Sequence, residues 1–248
     1  MSYHRFQKMG RVLHGDIYTI KNMMNEKRLE TWTLFEKINL DDDQEPWKGR
    51  GGPKQKNDRK AHGTGIVQYK GVDEKMFCFG AIHPYNPIIA NQEGLQGTAL
   101  VKWFNNRLPD NMSYLICADA GNMGSVAHAR YLAEQGRRTL MSFVPNCDDS
   151  GKQHPLSKIL DAGLEEHKWN TLWGPRVAVQ AWMAKSSGKS TKIVHLVSNI
   201  EQLDDETVVE RYIKKDNSFK MVLAPKTIET YNHLKWFIDE KRAVIARV

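Results

Sequence analysis

The chain has 248 residues, enough to bury a sizeable core in one large domain or two small ones. Lysine and arginine outnumber aspartate and glutamate by 36 to 29, and the resulting net charge of +7 favours polyanionic partners, nucleic acid first. No run approaches the roughly 18 apolar residues of a membrane span, and residues 1–13 lack the apolar stretch of a signal peptide. A soluble, intracellular, globular protein is therefore expected, with no membrane partner.

The first third of the chain changes from helical to strand patterns. Apolar residues recur at helical spacing over residues 3–13, and a second helix is predicted within residues 17–35. Strands are predicted over 37–40, 65–69 and 76–82. The connector over residues 47–65 is basic and rich in glycine, which is typical of an exposed loop.

The middle of the chain alternates helices and apolar strands. Helices are predicted over 94–106 and 122–135, the latter closed by Gly136, and apolar strands over 114–118 and 139–144. Early strands followed by this alternation indicate an α/β fold, a mixed sheet with helices on both faces.

The last third is predicted to contain a hairpin between helices. Residues 146–175 are expected to be loop-rich, with a short helix at 156–164. A hairpin is predicted from strands 177–183 and 192–197, and closing helices at 204–212 and 228–244. Gly188-Lys189-Ser190 resembles part of a phosphate-binding loop, but Met183 stands where that motif needs glycine, so no nucleotide cofactor is expected.

The cysteines do not form a metal or disulfide motif. Cys78, Cys117 and Cys147 are odd in number, lie in or beside apolar runs and include no C-x-x-C pair. Reduced thiols are expected rather than a disulfide framework or a zinc finger.

Three aspartates are candidates for a metal site. Asp41 follows the first predicted strand, Asp119 follows the buried strand at 114–118, and Asp239 lies in the last predicted helix. Carboxylate oxygens are the ligands that Mg²⁺ prefers, and three such groups can hold two ions about 3.5–4 Å apart. Two alternatives stay open: Asp42 or Asp43 can replace Asp41, and Asp239 can be a surface carboxylate with helix partners Lys235 and Arg242.

Several short motifs, taken in order, resemble one family. They are Leu40-Asp41-Asp42 followed by Trp47-Lys48-Gly49-Arg50, the strand that ends at Asp119, the pair Ser198-Asn199, and Tyr231-Asn232 ahead of Asp239. Together they resemble the piggyBac-type transposase domain, an RNase H-like nuclease of the DDE/DDD class. The resemblance implies a helical remnant over residues 1–35, a catalytic domain over 36–248 with an inserted region at 146–200, and a nuclear location.

The same resemblance implies a two-metal site for DNA strand cleavage and transfer. Asp41, Asp119 and Asp239 fall on the family's catalytic, metal-binding positions for Mg²⁺ or Mn²⁺. The third motif departs from the family, since Trp236-Phe237-Ile238 replaces Gly-Gly-Val and Arg242 replaces a further aspartate. The family's cysteine-rich module is not expected in this chain. Two hypotheses therefore stay open: a metal-dependent transposase nuclease, or a catalytically inactive DNA-binding or interaction protein that kept the fold.

The basic connector is the candidate DNA-binding surface. Its cations could neutralise phosphates in a salt-dependent way, although a solvated charge run explains them equally well. The residues concerned are Lys48, Arg50, Lys54, Lys56, Arg59 and Lys60.

Overall fold

The computed structural model describes the backbone of residues 17–46, 55–56, 64–82, 97–110, 112–120, 123–145, 155–185, 192–201, 203–213 and 217–245. Within these ranges the helices are α1 (Ile17–Thr31), α2 (Thr98–Asn105), α3 (Val126–Glu134), α4 (Pro155–Asp161) and α5 (Lys226–Ile245). None of them is both long and apolar enough to span a bilayer.

The strands of the described ranges form one large mixed sheet and a separate two-stranded ribbon. The large sheet has the order β2-β3-β1-β5-β6-β9-β8-β7, with β4 paired to β3, and the ribbon consists of β10 and β11. The bounds are β1 (Lys37–Pro46), β2 (Gln55–Lys56), β3 (Thr64–Asp73), β4 (Cys78–Ile82), β5 (Leu115–Ala118), β6 (Arg138–Ser142), β7 (Trp169–Trp173), β8 (Ala178–Lys185), β9 (Lys192–Ser198), β10 (Glu206–Ile213) and β11 (Ser218–Pro225).

Parallel pairing is confined to the centre of the sheet. Strands β1, β5 and β6 run parallel, whereas the remaining pairs are antiparallel. The mixed α/β sheet predicted from the sequence is therefore confirmed. Because parallel strands end at the same edge, the segments that follow β5 and β6 emerge side by side.

Strand β5 shows why helices cover both faces. Its side chains alternate, so Ile116 and Ala118 pack in one hydrophobic core while Leu115 and Cys117 pack in the other. The first core contains residues of α2 and α3, and the second contains residues of α5, including Leu234. A strand that is apolar at every position is thus the one that a two-sided core requires.

Helix α3 has a serine cap at its start and, at its end, the glycine predicted from the sequence. Ser125 caps it, because the serine Oγ accepts a hydrogen bond from the His128 N–H at 3.1 Å. Gly136 lies just beyond the helix with φ of 72°, a left-handed conformation that glycine adopts at little cost. These signals fix the loop that enters α3 and the turn that leads into β6.

Two expectations for the last third are wrong. Residues 204–212 were expected as a helix, but residues 206–213 form β10, which pairs with β11. Side chains alternate between the two faces of the ribbon, as in a strand: Val209 and Val222 are buried in the core beside α5, whereas Val208 and Met221 are exposed. Strand β7 also lies in a segment expected to be loop. The predicted hairpin of 177–183 and 192–197 is confirmed as β8 and β9, and it belongs to the main sheet.

Candidate functional site at the acidic sheet edge

The structure brings Asp41 and Asp119 together. In the parallel pair of β1 and β5, Leu40 is level with Ala118, so the residues that follow are neighbours at one edge of the sheet. Adjacent strands lie about 4.8 Å apart. Strand β1 continues past Asp41 to Pro46 and pairs there with β3, whereas β5 ends at Ala118. Asp41 therefore lies within a strand and Asp119 lies at a strand end.

Strand alternation separates Asp41 from Asp42. Ile38 and Leu40 pack in the core of α2 and α3, whereas the side chain of Asn39 on the opposite face donates to the carbonyl of Leu234 in α5 at 3.1 Å. Position 41 shares the face of position 39, so Asp41 is directed toward the α5 side and Asp42 toward the other. The Asp42 N–H donates to Asp41 Oδ1 at 2.8 Å. The side chain of Asp43 lies outside the described residues.

Asp119 is held by four donors. Its Oδ1 accepts hydrogen bonds from the Ala120 N–H at 2.6 Å, the Ser142 Oγ at 2.9 Å and the Tyr231 hydroxyl at 3.3 Å. Its Oδ2 accepts from the Lys235 Nζ at 2.9 Å. Ser142 ends β6, and Tyr231 and Lys235 lie four residues apart on α5, where helical spacing places them on one face. Three elements therefore converge on one carboxylate.

The local electrostatics favour the ionised form of Asp119. Partial burial alone would raise its pKa, but the hydrogen bond and charge of Lys235, with the bonds from Ser142 and Ala120, lower the pKa to about 2. Burial above all, and the charge of Asp119, raise the pKa of Tyr231. Burial and the charge of Asp119 likewise raise the pKa of the Cys117 thiol. A neutral phenol and a neutral thiol thus flank an anionic carboxylate.

Gly124, which lies ahead of α3, is closely packed against the ends of β5 and β6. A Cβ at Gly124 would overlap the main-chain carbonyls of Ser142 and Asp119. Glycine is therefore the residue that lets the loop pass between the ends of β5 and β6.

Asp239 lies on the same helix as two of the Asp119 donors. It follows Lys235 by one helical turn, about 6 Å along the axis of α5. The side chain of Asp239 lies outside the described residues, so the structure does not measure its distance from Asp41 or Asp119. Lys235, expected from the sequence as a helix partner of Asp239, contacts Asp119.

The predicted DNA-binding residues fall largely outside the described part of the chain. Lys48, Arg50, Lys54, Arg59 and Lys60 lie beyond it, and Lys56 contributes only its backbone, in β2. The predicted helix over 3–13 and the thiol of Cys147 also lie beyond it. Cys78 and Cys117 are free thiols, as expected.

Sequence reasoning did not assign Ser142, Tyr231 or Lys235 to the site. A signal was present for the first, because Ser142 ends an apolar strand that neighbours β5. For the other two the signal is their spacing on α5, but that spacing does not tell which carboxylate the helix meets.

The donor set of this edge suits a hard divalent cation. Asp41 and Asp119 supply carboxylate oxygens, the ligand type of Mg²⁺ and Mn²⁺. Oδ2 of Asp119 already binds a cation, the ammonium of Lys235. Among the residues whose side chains are described, no group of three or more His, Cys, Asp or Glu could hold a metal, and Asp239 is not among them. The two described carboxylates fit one part of a metal site.

Comparison with known proteins gives a structural neighbour and no sequence relative. No protein-family model and no curated protein matches this chain. A piggyBac transposase, solved by cryo-EM in a synaptic complex with hairpin DNA, matches with a TM-score of 0.70 at 14% identity. The match covers 99% of this chain and 48% of the transposase, so the chain spans about half the length of that protein. At this identity the likeness concerns the fold, and the chain has an α/β fold similar to that of the piggyBac transposase.

Proposed function

We propose that the chain is a transposase-like domain that cuts and joins DNA strands at a divalent-metal site. The observation that carries the proposal is the parallel register of β1 and β5, which places Asp41 and Asp119 side by side on the face covered by α5. The fold similarity to a transposase in complex with DNA supports the same function. The positive net charge of the chain suits a DNA substrate.

The proposed metal ligands are Asp41, Asp119 and Asp239. Bound Mg²⁺ or Mn²⁺ would supply activation of a water or a 3′-hydroxyl and stabilisation of the departing oxygen. The other residues orient the ligands: Ser142 and the Ala120 N–H hold Oδ1 of Asp119, the oxygen opposite the one that Lys235 contacts. The cations of the connector, from Lys48 to Lys60, would anchor the phosphates of the duplex.

A catalytically inactive DNA-binding or interaction protein is the second candidate. One observation favours it: Lys235 already pairs with Asp119, so the protein itself supplies a cation to this edge. On this hypothesis the protein binds duplex DNA, but divalent metal changes neither binding nor the integrity of the strands.

Nicking of labelled duplex DNA by the purified chain, with and without Mn²⁺, tests the proposal. Asp119→Asn keeps the size of the side chain and removes its charge, and we expect it to abolish metal-dependent nicking. Asp205→Asn at an exposed site is the matched control for charge and should nick like the wild type. Equal nicking by wild type and Asp119→Asn, or none by either, would reject the nuclease; retained DNA binding would then support the second candidate.

A further inference from the structure

The two oxygens of Asp119 have different partners. Oδ1 accepts from the Ala120 N–H, the Ser142 hydroxyl and the Tyr231 hydroxyl, all uncharged donors. Oδ2 accepts from the ammonium of Lys235 at 2.9 Å. The carboxylate is therefore oriented through one oxygen, while the other presents its charge to a cation.

Lys235 meets that charge beside a second carboxylate. Asp41 lies on the neighbouring strand, on the same face of the sheet. Two carboxylates at this spacing repel each other, and the repulsion grows as water is excluded. An ammonium beside Asp119 offsets part of that repulsion.

The exposure of the ion pair makes it exchangeable. The side chains of Lys235 and Asp119 are 41% and 44% exposed. Ion pairs with such access to water are weak, and a lysine head group re-enters solvent on its flexible stem. A divalent cation binds a pair of carboxylates with twice the charge, so it can replace the ammonium.

We propose that Lys235 is a resident counter-ion of the acidic edge, one that occupies the cation position on Asp119 and leaves it when a divalent metal binds. The inference rests on the proposed metal site and adds a residue that sets its affinity. Lys235 is a positioning residue in this scheme: it orients Asp119 through Oδ2 before the metal arrives, and it sets the metal concentration at which the site fills.

Mn²⁺ titration of the metal-free, full-length protein by calorimetry tests this proposal without an activity readout. Lys235→Met keeps most of the aliphatic stem and removes the charge, and we expect Mn²⁺ to bind about tenfold more tightly, because no ammonium opposes the dication. Lys235→Arg keeps the charge and should bind Mn²⁺ within about threefold of the wild type, a change of about 0.65 kcal/mol at most.

Lys226→Met is the matched control. Lys226 lies on the same helix at similar exposure, with Glu229 as its partner, so this variant makes the same change in net charge away from the acidic edge. We expect its Mn²⁺ affinity to stay within about twofold of the wild type, as for an exposed charge screened by solvent. Lys235→Gln, assayed beside Lys235→Met, provides a second neutral side chain should the methionine variant fail to fold in thermal unfolding.

The outcomes separate this inference from the proposed function. Equal Mn²⁺ affinities in the Lys235 and Lys226 variants, with binding abolished by Asp119→Asn, would overturn the counter-ion role and leave the metal site standing. Binding in Lys235→Met that is absent from the wild type would support the role in its strongest form. No Asp119-dependent binding in any variant would overturn both.

Discussion

Polar side chains differ between the parallel half of the large sheet, strands β1, β5 and β6, and its antiparallel half, strands β7, β8 and β9. In the parallel half, Asp41 and Asp119 lie together at one edge, and Asp119 keeps a side chain that is 44% exposed. In the antiparallel half, Gln180 on β8 is buried, and it donates to the carbonyl of Leu203 at 2.8 Å and accepts from the Thr227 hydroxyl at 2.5 Å. Both clusters are polar, but Asp119 directly follows the end of β5 whereas Gln180 lies within β8.

Parallel strands deliver their carboxyl ends to one edge, whereas antiparallel strands send them to opposite edges. Gln180 and His195 lie within β8 and β9 and have partners inside the protein, as His195 does with Asp161 at 2.7 Å. A buried cluster whose members satisfy one another contributes to stability. The exposed ion pair between Asp119 and Lys235 is, by contrast, suited to exchange partners. Gln180 therefore has a structural role, whereas Asp119 keeps access to solvent.

The largest effect is expected at Gly124, which lies against the ends of β5 and β6 in the parallel half. Gly124→Ala places a Cβ against the carbonyls of Asp119 and Ser142, which are main-chain atoms that cannot rotate away. We expect a loss of about 3 kcal/mol or more in the free energy of unfolding, measured by urea denaturation. Gly136→Ala is the control, because its Cβ has open space and only the left-handed φ of 72° opposes it, at about 1 kcal/mol. Equal losses of unfolding free energy in Gly124→Ala and Gly136→Ala would show that the backbone around Gly124 is not tightly packed.

The second-largest effect on stability is expected at Gln180 in the antiparallel half. Gln180→Ala removes the acceptor of the fully buried Thr227 hydroxyl and leaves a cavity, so we expect a loss of about 2–3 kcal/mol in unfolding free energy. Gln135→Ala at an exposed position should cost much less. In the folded Gln180→Ala variant, Asp119-dependent Mn²⁺ binding should match the wild type. A changed Mn²⁺ affinity would show that the buried cluster around Gln180 and the acidic edge are coupled.

The parallel half was the more predictable one. The apolar run that forms β5, the following Asp119 and the helix closed by Gly136 carry strong local signals, so both the mixed sheet and the nearness of Asp41 to Asp119 could be inferred. These signals depend on neighbours in sequence or on the rule that parallel strands end together.

The ribbon of β10 and β11, the edge strand β7 and the contacts of α5 depend on tertiary packing. β10 mixes charged and β-branched residues, and only the burial of Val209 and Val222 beneath an exposed outer face makes it a ribbon. β7 lies at an edge without clean alternation. Lys235 meets Asp119 rather than only its own helix neighbours because α5 crosses β5, a contact between residues 116 positions apart. Local sequence patterns do not carry that information.

A smaller effect is expected at Asn39, which links β1 of the parallel half to α5. Asn39→Ala removes the side-chain bond to the Leu234 carbonyl, which α5 otherwise offers to β1 at 3.1 Å. We expect a loss of about 1 kcal/mol in unfolding free energy by urea denaturation, together with weaker Mn²⁺ binding, because the helix that carries Lys235 and Asp239 is less firmly placed. Asn232→Ala, exposed on the same helix, should change neither quantity. Weaker Mn²⁺ binding by both variants would show that the Asn39–Leu234 hydrogen bond does not set the affinity of the metal site.

The smallest effect is expected in the pH dependence of stability. The pKa of Asp119 is about 2 in the folded chain, below the value of about 3.9 for an unfolded aspartate. Its ionised form therefore stabilises the fold fully above about pH 4, and that contribution is lost as the pH falls toward 2. Because the Lys235 pair is exposed to solvent, we expect less than about 1 kcal/mol. Urea denaturation from pH 5 to pH 3 should show the stability advantage of wild type over Asp119→Asn shrinking. The advantage over Asp205→Asn should stay constant, and a constant advantage over both variants would contradict the electrostatic account of the acidic edge.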